Sequence, residues 1–159
     1  MLLSNILYLT LLSVLPAVDA IVLPPPALSN RKENRPRMEI HCPSDRATND
    51  QWGEPIGVTE NIRYLRGVEG KPVNGPGPNA CGRIACSHDT AVFWCNDNYY
   101  TKGLDSYQVI AELVDVLRND GRCYETRQQS PTGALVIYGI RGEIKMNDGW
   151  SVVVRSEKC

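Results

Sequence analysis

Three cysteines lie close together in the stretch CGRIACSHDTAVFWC, at Cys81, Cys86 and Cys95, and His88 stands between the second and the third. Thiols and an imidazole at such spacing are compatible with a reactive thiol, a metal site or disulfide bonds. The spacing C-x4-C-x8-C lacks the paired C-x2-C knuckles of structural zinc sites, so we expect no metal site here.

The full chain has six cysteines, an even number that leaves no thiol over for nucleophilic catalysis. An even count in a short secreted chain indicates a disulfide framework. Six cysteines allow fifteen pairings, and the sequence does not choose among them. We predict three disulfides formed by Cys42, Cys81, Cys86, Cys95, Cys123 and Cys159.

The N-terminal residues 1–20 are typical of a secretory signal peptide. An apolar run is followed by the small-x-small ending Val18-Asp19-Ala20, which predicts cleavage after Ala20. The apolar run is shorter than the ~20 residues that a bilayer span needs. We therefore expect a soluble, extracellular protein in an oxidising compartment, where disulfides persist.

The charges balance once this segment is removed. The whole chain has 17 basic and 18 acidic residues, and the loss of Asp19 leaves 17 of each. A net charge of zero gives no reason to expect binding to nucleic acid or to an anionic membrane. Residues 21–38 are rich in proline and basic residues and are predicted to be a flexible arm. The arm is interpreted as a spacer, with a pro-segment or a contact for an acidic partner as alternatives.

Residues 39–159 are predicted to form one disulfide-stabilised α+β domain, a small antiparallel sheet with one main helix (about 105–119) packed on it. Apolar residues at i, i+3, i+4 and i+7 predict a helix over Ser106–Asn119, with Asp105 or Ser106 as its cap. A loop rich in glycine and proline is expected at 70–80. Extended segments are predicted at Pro55–Thr59, Asn61–Gly67, Thr90–Cys95, Ala134–Ile140, Glu143–Met146 and Trp150–Arg155.

Two histidines, His41 and His88, offer the only imidazole chemistry in the chain. Each lies next to a cysteine, so disulfide pairing could bring them together with Glu54 and Arg83 into a ribonuclease site of the acid–base type. We favour surface histidines beside disulfides, because no motif fixes such a geometry. We predict no catalytic residues, no bound metal and no cofactor.

The sequence Arg63-Tyr64-Leu65-Arg66 matches the pattern R-x-L-R, which resembles the host-translocation motif of some oomycete effectors. It lies in a stretch predicted to be extended, where Tyr64 and the residues at alternate positions from it would face the core. We interpret the match as a chance occurrence of a short pattern.

The loop 96–103 between the predicted strand and the helix is the best candidate for recognition, because loops on a stapled scaffold often carry function. Aromatic residues could form a recognition surface here, although most of them are expected at the rim of the core. Those aromatic residues are Trp94, Tyr99, Tyr100 and Tyr124. The predicted binding loop consists of Asn96, Asp97, Asn98, Tyr99 and Tyr100.

The second half of the chain resembles small secreted cysteine-rich proteins of filamentous fungi, including avirulence-type effectors of plant pathogens. The resemblance covers about residues 80–159. It is carried by the pattern C-G-R-x-x-C, then W-C-N-D-N, an amphipathic helix, Cys123, the pattern W-x-V-x-V-R and Cys159. The same order resembles, more faintly, fungal killer-toxin and necrosis-inducing folds, which implies an α/β sandwich acting on competitor or host cells.

The resemblance implies a non-enzymatic virulence protein that binds a host protein or is detected by a host resistance receptor. The resemblance also implies a second secreted effector as a candidate partner. It places the protein in the host apoplast, with translocation into the host cell as an alternative. A killer-type toxin and a secreted ribonuclease remain as alternative functions.

Overall fold

A five-stranded antiparallel sheet forms the centre of the fold. The computed structural model describes residues 37–43, 52–129 and 133–159, so the predicted signal peptide and the arm up to residue 36 lie outside the described residues. The elements follow the chain as β1 (Met38–His41), α1 (Pro55–Gly67), β2 (Val73–Asn74), β3 (Ala80–Ser87), β4 (Thr90–Asn96), β5 (Lys102–Gly103), α2 (Tyr107–Asn119), a 3-10 turn (Gly121–Cys123), β6 (Tyr124–Gln129), β7 (Ala134–Ile140), β8 (Gly142–Met146) and β9 (Trp150–Ser156).

The order of strands in the main sheet is β1-β8-β9-β4-β3, and β2–β5 and β6–β7 form separate antiparallel pairs. The predicted α+β class is confirmed, and four predicted strands appear within about a residue of their expected bounds. Strand β1 starts at Met38, inside the segment predicted as an arm. The predicted loop 70–80 contains the short strand β2 and the first residue of β3.

Both helices cover one face of the sheet. Helix α2 begins one residue after the predicted start and buries its predicted apolar stripe of Ile110, Leu113, Val114 and Leu117. Ser106 is its N-cap, although the Ser106 side chain makes no cap hydrogen bond. On the sheet, the side chains of alternate strand residues pack against the two helices. The main sheet contributes to the core Ala85, Val92, Trp94, Ile144, Trp150, Val152 and Val154.

An ion-pair network joins the two helices at their exposed side. Arg66 of α1 contacts the Asp115 carboxylate of α2 at 2.9 Å, and Arg118 contacts the other oxygen of the same carboxylate. Burial by itself would raise the pKa of Asp115, but the hydrogen bonds and charges of Arg118 and Arg66 outweigh burial and lower it. Asp115 is therefore a charged link between α1 and α2 at neutral pH.

The prediction of two extended segments over 55–67 is wrong, because these residues form the single helix α1. Pro55 stands in the first turn, where its fixed φ suits a helix. Val58, Ile62 and Leu65 are buried at helical spacing. The R-x-L-R stretch is helical as well, so Leu65 enters the core while Tyr64 remains exposed.

C-terminal residues lie against part of the opposite face of the sheet, on its β3–β4 side. Arg155 lies over the ring of Phe93, with its guanidinium carbon 4.5 Å from the ring centre. The chain beyond β9 then turns towards the β3–β4 hairpin, where the Glu157 amide donates to the Asp89 carbonyl at 3.0 Å. The disulfide Cys86–Cys159 fastens this end to β3.

The predicted disulfide framework is confirmed with the pairs Cys42–Cys123, Cys81–Cys95 and Cys86–Cys159. The first joins the end of β1 to the turn after α2. The second crosses directly between paired positions of β3 and β4, whose Cα atoms are 4.0 Å apart. Three disulfides are typical of an oxidising, extracellular environment.

Replacing Gly57 tests how closely α1 approaches the sheet. A Cβ at Gly57 would lie 2.3 Å from the Ser87 carbonyl oxygen, whereas a Cβ at Gly67 of the same helix would meet nothing. We expect Gly57→Ala to lower the free energy of unfolding by about 1–3 kcal/mol, because backbone atoms must move. The matched control Gly67→Ala should be neutral or stabilising by up to about 1 kcal/mol. Urea denaturation of the oxidised proteins measures both, and equal effects would contradict the close contact.

Candidate functional site

The predicted binding loop leaves the end of β4 and is organised by the side chain of Asn96. Asn96 is fully buried. Its Nδ2 donates to the carbonyl oxygens of Gly75 and Tyr100, each at 2.7 Å. Its Oδ1 accepts from the backbone N–H and the Nδ2 of Asn98, each at 3.0 Å. Asn96 therefore holds the loop together from inside and has no surface with which to contact a partner.

Asp97 and Asn98 attach the loop to two neighbouring segments. The Asp97 carboxylate accepts from the Asn79 backbone N–H at 3.0 Å, which joins the loop to 70–80. Asn98 Nδ2 donates to the Gly149 carbonyl at 2.7 Å, which joins it to the turn between β8 and β9. Gly149 has φ +78°, and a Cβ there would collide with the Asn98 side chain. These contacts give Asp97 and Asn98 a structural role.

The two tyrosines of the loop are the residues that face solvent. The exposed fraction is 84% for Tyr99 and 61% for Tyr100. Val73 on the adjoining β2–β5 ribbon is 66% exposed, and Lys102 of β5 contacts Asp148 at 2.8 Å. We refer to Tyr99 and Tyr100 as the tyrosine surface. It presents apolar area on a segment whose backbone is held by hydrogen bonds on both sides.

The other aromatic candidates are not part of this surface. Trp94 is in the core, at 2% exposure. Tyr124 is partly buried, and its hydroxyl donates to the Arg118 carbonyl. The expectation that most of these aromatics belong to the core or its rim therefore applies to Trp94 and Tyr124, and not to the tyrosine pair of the loop.

The histidines do not assemble into one site. His41 lies on β1 and contacts Glu39 at 3.4 Å, while His88 lies in the β3–β4 turn at the other side of the sheet. The usual strand spacing separates these positions by roughly 15–19 Å. Of the suggested helpers, Arg83 donates to the Lys158 carbonyl at 2.9 Å. The arrangement required for a two-histidine ribonuclease is therefore not formed.

A second group of polar residues, which the sequence does not predict, lies where α1 meets the β3–β4 hairpin. Ser87 Oγ donates to Glu60 Oε2 at 2.9 Å, and His88 Nε2 is 3.6 Å from the same oxygen. His88 and Asp89 both have φ of +48°, so non-glycine residues occupy the left-handed region in this turn. The only sequence signal is the apolar spacing of 58, 62 and 65, which places Glu60 on a helix.

A groove of about 580 Å³ runs from this group along α1 and β3. Its lining consists of Glu60, Asn61, Arg63, Tyr64 and residues 83–87. Among the described residues, no group of three or more His, Cys, Asp or Glu side chains could hold a metal ion. Across the same residues, each helix is too short or too polar to cross a membrane.

No protein-family model matches this sequence, and no curated protein or solved structure is significantly similar to it.

The role of Asn96 is tested by changing its amide to an acid. Asn96→Asp places an oxygen opposite the two carbonyl oxygens of Gly75 and Tyr100 in a buried site. We expect the free energy of unfolding to fall by about 2–4 kcal/mol, because the two carbonyl oxygens lose their donor and the new oxygen that faces them is buried without a donor of its own. The matched control Gln108→Glu makes the same change at an exposed position of α2 and should stay within about 0.5 kcal/mol of wild type. Similar effects of the two changes in chemical denaturation would rule out the buried amide as the organiser of the loop.

Proposed function

We propose that this protein is a secreted effector that acts by binding a host plant protein through the tyrosine surface. The observation that carries the proposal is the exposure of Tyr99 and Tyr100 on a loop whose backbone is fixed by the buried Asn96. Large exposed aromatic side chains are costly to leave in water and are enriched among the residues that dominate binding energies.

The way the loop is held supports binding as its role. A loop that is already ordered loses little conformational entropy when a partner covers it, so more of the contact energy appears as affinity. Tyrosine adds large area with few rotatable bonds and a hydroxyl that can form a hydrogen bond at the rim. The neighbouring pair Lys102–Asp148 provides charges beside the apolar centre, as in many interfaces.

The disulfides support the proposed location. Three disulfides in one small domain suit an oxidising compartment outside the cell, and they raise stability there by constraining the unfolded chain. Together with the predicted signal peptide and the resemblance to fungal effectors, they favour action in the host apoplast. The same binding, when a host resistance receptor detects it, accounts for avirulence.

The proposal is tested by infiltrating oxidised protein (residues 21–159) into leaves of a panel of plant genotypes. We expect cell death in some genotypes and not in others. The double variant Tyr99→Ala/Tyr100→Ala should lose the response, because it removes the centre of the surface while leaving the backbone contacts in place. Ile56→Ala is the matched control, since Ile56 is also an exposed apolar residue but lies on α1.

Two outcomes would contradict the proposal, and a third would remove one part of it. Death in every genotype would indicate a general toxin of the killer type. A full response to the double variant would exclude the tyrosine surface as the binding site. Absence of any response in a broad panel would remove recognition by a host receptor from the proposal. Circular dichroism and the melting temperature of each variant establish that the fold is retained.

A further inference from the structure

The disulfide Cys86–Cys159 is the most accessible of the three disulfides. Cys159 is the last residue of the chain and is exposed, and Cys86 is half-buried. The other two pairs each contain one buried cysteine, because Cys123 is fully buried and Cys95 is 5% exposed. Cys86–Cys159 is therefore the one disulfide in which water reaches both residues.

The burial of the departing sulfur separates the three disulfides chemically. In thiol–disulfide exchange one sulfur is attacked and the other leaves as a thiolate. In the pairs of Cys95 and Cys123, attack at the accessible partner would expel the buried residue as a thiolate, and the reverse attack has no access. A buried thiolate lacks hydration and leaves slowly. Attack at Cys159 instead expels Cys86, which is partly in contact with water.

The residues beyond β9 are held by few contacts besides this disulfide. We refer to Glu157, Lys158 and Cys159 as the C-terminal strap. The Glu157 and Cys159 amides donate to Asp89 at 3.0 and 3.2 Å, and Arg83 donates to the Lys158 carbonyl at 2.9 Å. The ion pairs of Glu157 with two arginines involve exposed side chains and stabilise the strap little. We therefore expect the strap to move away from the β3–β4 hairpin once the disulfide is open.

The cysteines of the other two pairs stay close together when their disulfides open. Cys81 and Cys95 occupy paired positions of β3 and β4, whose backbones remain bonded to each other. Cys42 follows β1, which is paired with β8, and Cys123 is fixed in the core. Thiols held side by side have a high effective concentration, so their bond re-forms readily. Cys159 ends a strap that can move away, so its bond re-forms less readily.

We propose that Cys86–Cys159 is a site of thiol–disulfide exchange with small thiols, and that its opening releases the C-terminal strap while the domain stays folded. The incoming thiolate bonds to Cys159 Sγ as the bond to Cys86 breaks, and Cys86 takes a proton from water. A second small thiol attacks the mixed disulfide, which leaves Cys159 as a thiol and joins the two small thiols as a disulfide. The protein is thereby reduced and the small thiols are oxidised. This site is separate from the tyrosine surface and does not depend on the function proposed for that surface.

The proposal is tested by incubating the oxidised protein (residues 21–159) with reduced glutathione under native conditions. Samples are quenched with acid at intervals, alkylated and analysed by peptide mass spectrometry. We expect Cys86 and Cys159 to be alkylated at least about tenfold faster than the other four cysteines, with the glutathione adduct on Cys159. Circular dichroism recorded in parallel should remain that of the oxidised protein, because the core and the other two disulfides are intact.

The double variant Cys86→Ala/Cys159→Ala shows whether the domain persists without this bond. It should be folded at room temperature with a lower melting temperature, because a long loop is no longer closed. Its four remaining cysteines should stay unlabelled under the same treatment. In the matched control Cys81→Ala/Cys95→Ala, alkylation of Cys86 and Cys159 should proceed as in wild type. The proposal is overturned if another disulfide opens first, if all six cysteines are labelled together, if none reacts before the protein unfolds, or if the first variant is unfolded.

Discussion

The burial of strand β4 on both faces is the constraint on which the rest of the structure depends. Six of its seven residues are buried, and it is paired on one side with β3 and on the other with β9. At one end, the Thr90 hydroxyl accepts from the Glu54 amide at 2.7 Å, which positions the start of α1. At the other end, Asn96 organises the predicted binding loop, which carries Tyr99 and Tyr100. The buried polar side chains of Thr90 and Asn96 thus position two different candidate surfaces.

Two of the three disulfides connect segments that lie outside β4. Cys42–Cys123 spans 81 positions and ties the edge strand β1 to the turn after α2. Cys86–Cys159 spans 73 positions and fastens the C-terminal residues over the face that the helices leave open. In the chain-entropy account, long loops such as these stabilise the folded state more than the 14-position loop of Cys81–Cys95. A small domain with a limited core gains its resistance to unfolding from these connections.

Much of the fold follows from apolar periodicity. The stripe of α2 and the continuous apolar run of Thr90–Cys95 are sufficient to predict a helix and a buried strand. Helix α1 escapes prediction because glycine, threonine and asparagine interrupt its pattern. Two of those residues serve tertiary contacts: Gly57 permits the approach to Ser87, and Asn61 donates to Thr90. Such contacts exist only once the hairpin has formed, and local sequence does not reveal them.

The candidate site is predictable in position but not in the roles of its residues. Asparagine and aspartate can bind either a partner or their own backbone, so residue type alone does not separate Asn96, Asp97 and Asn98 from the tyrosines. The relative positions of the histidines are not predictable for a related reason, because the sequence leaves the pairing of their neighbouring cysteines open. Cys42 and Cys86 belong to different disulfides, and the two histidines lie at opposite sides of the sheet.

We infer that the side chains of Asn96, Asp97 and Asn98 hold the predicted binding loop, residues 96–100, in one conformation before any partner binds. Backbone 15N relaxation of the oxidised wild-type protein tests it most directly. We expect order parameters of about 0.85 for the amides of residues 97–102, equal to those of β4. Values below about 0.6 in the loop, with rigid values in β4, would contradict it and leave the tyrosines without a preformed surface.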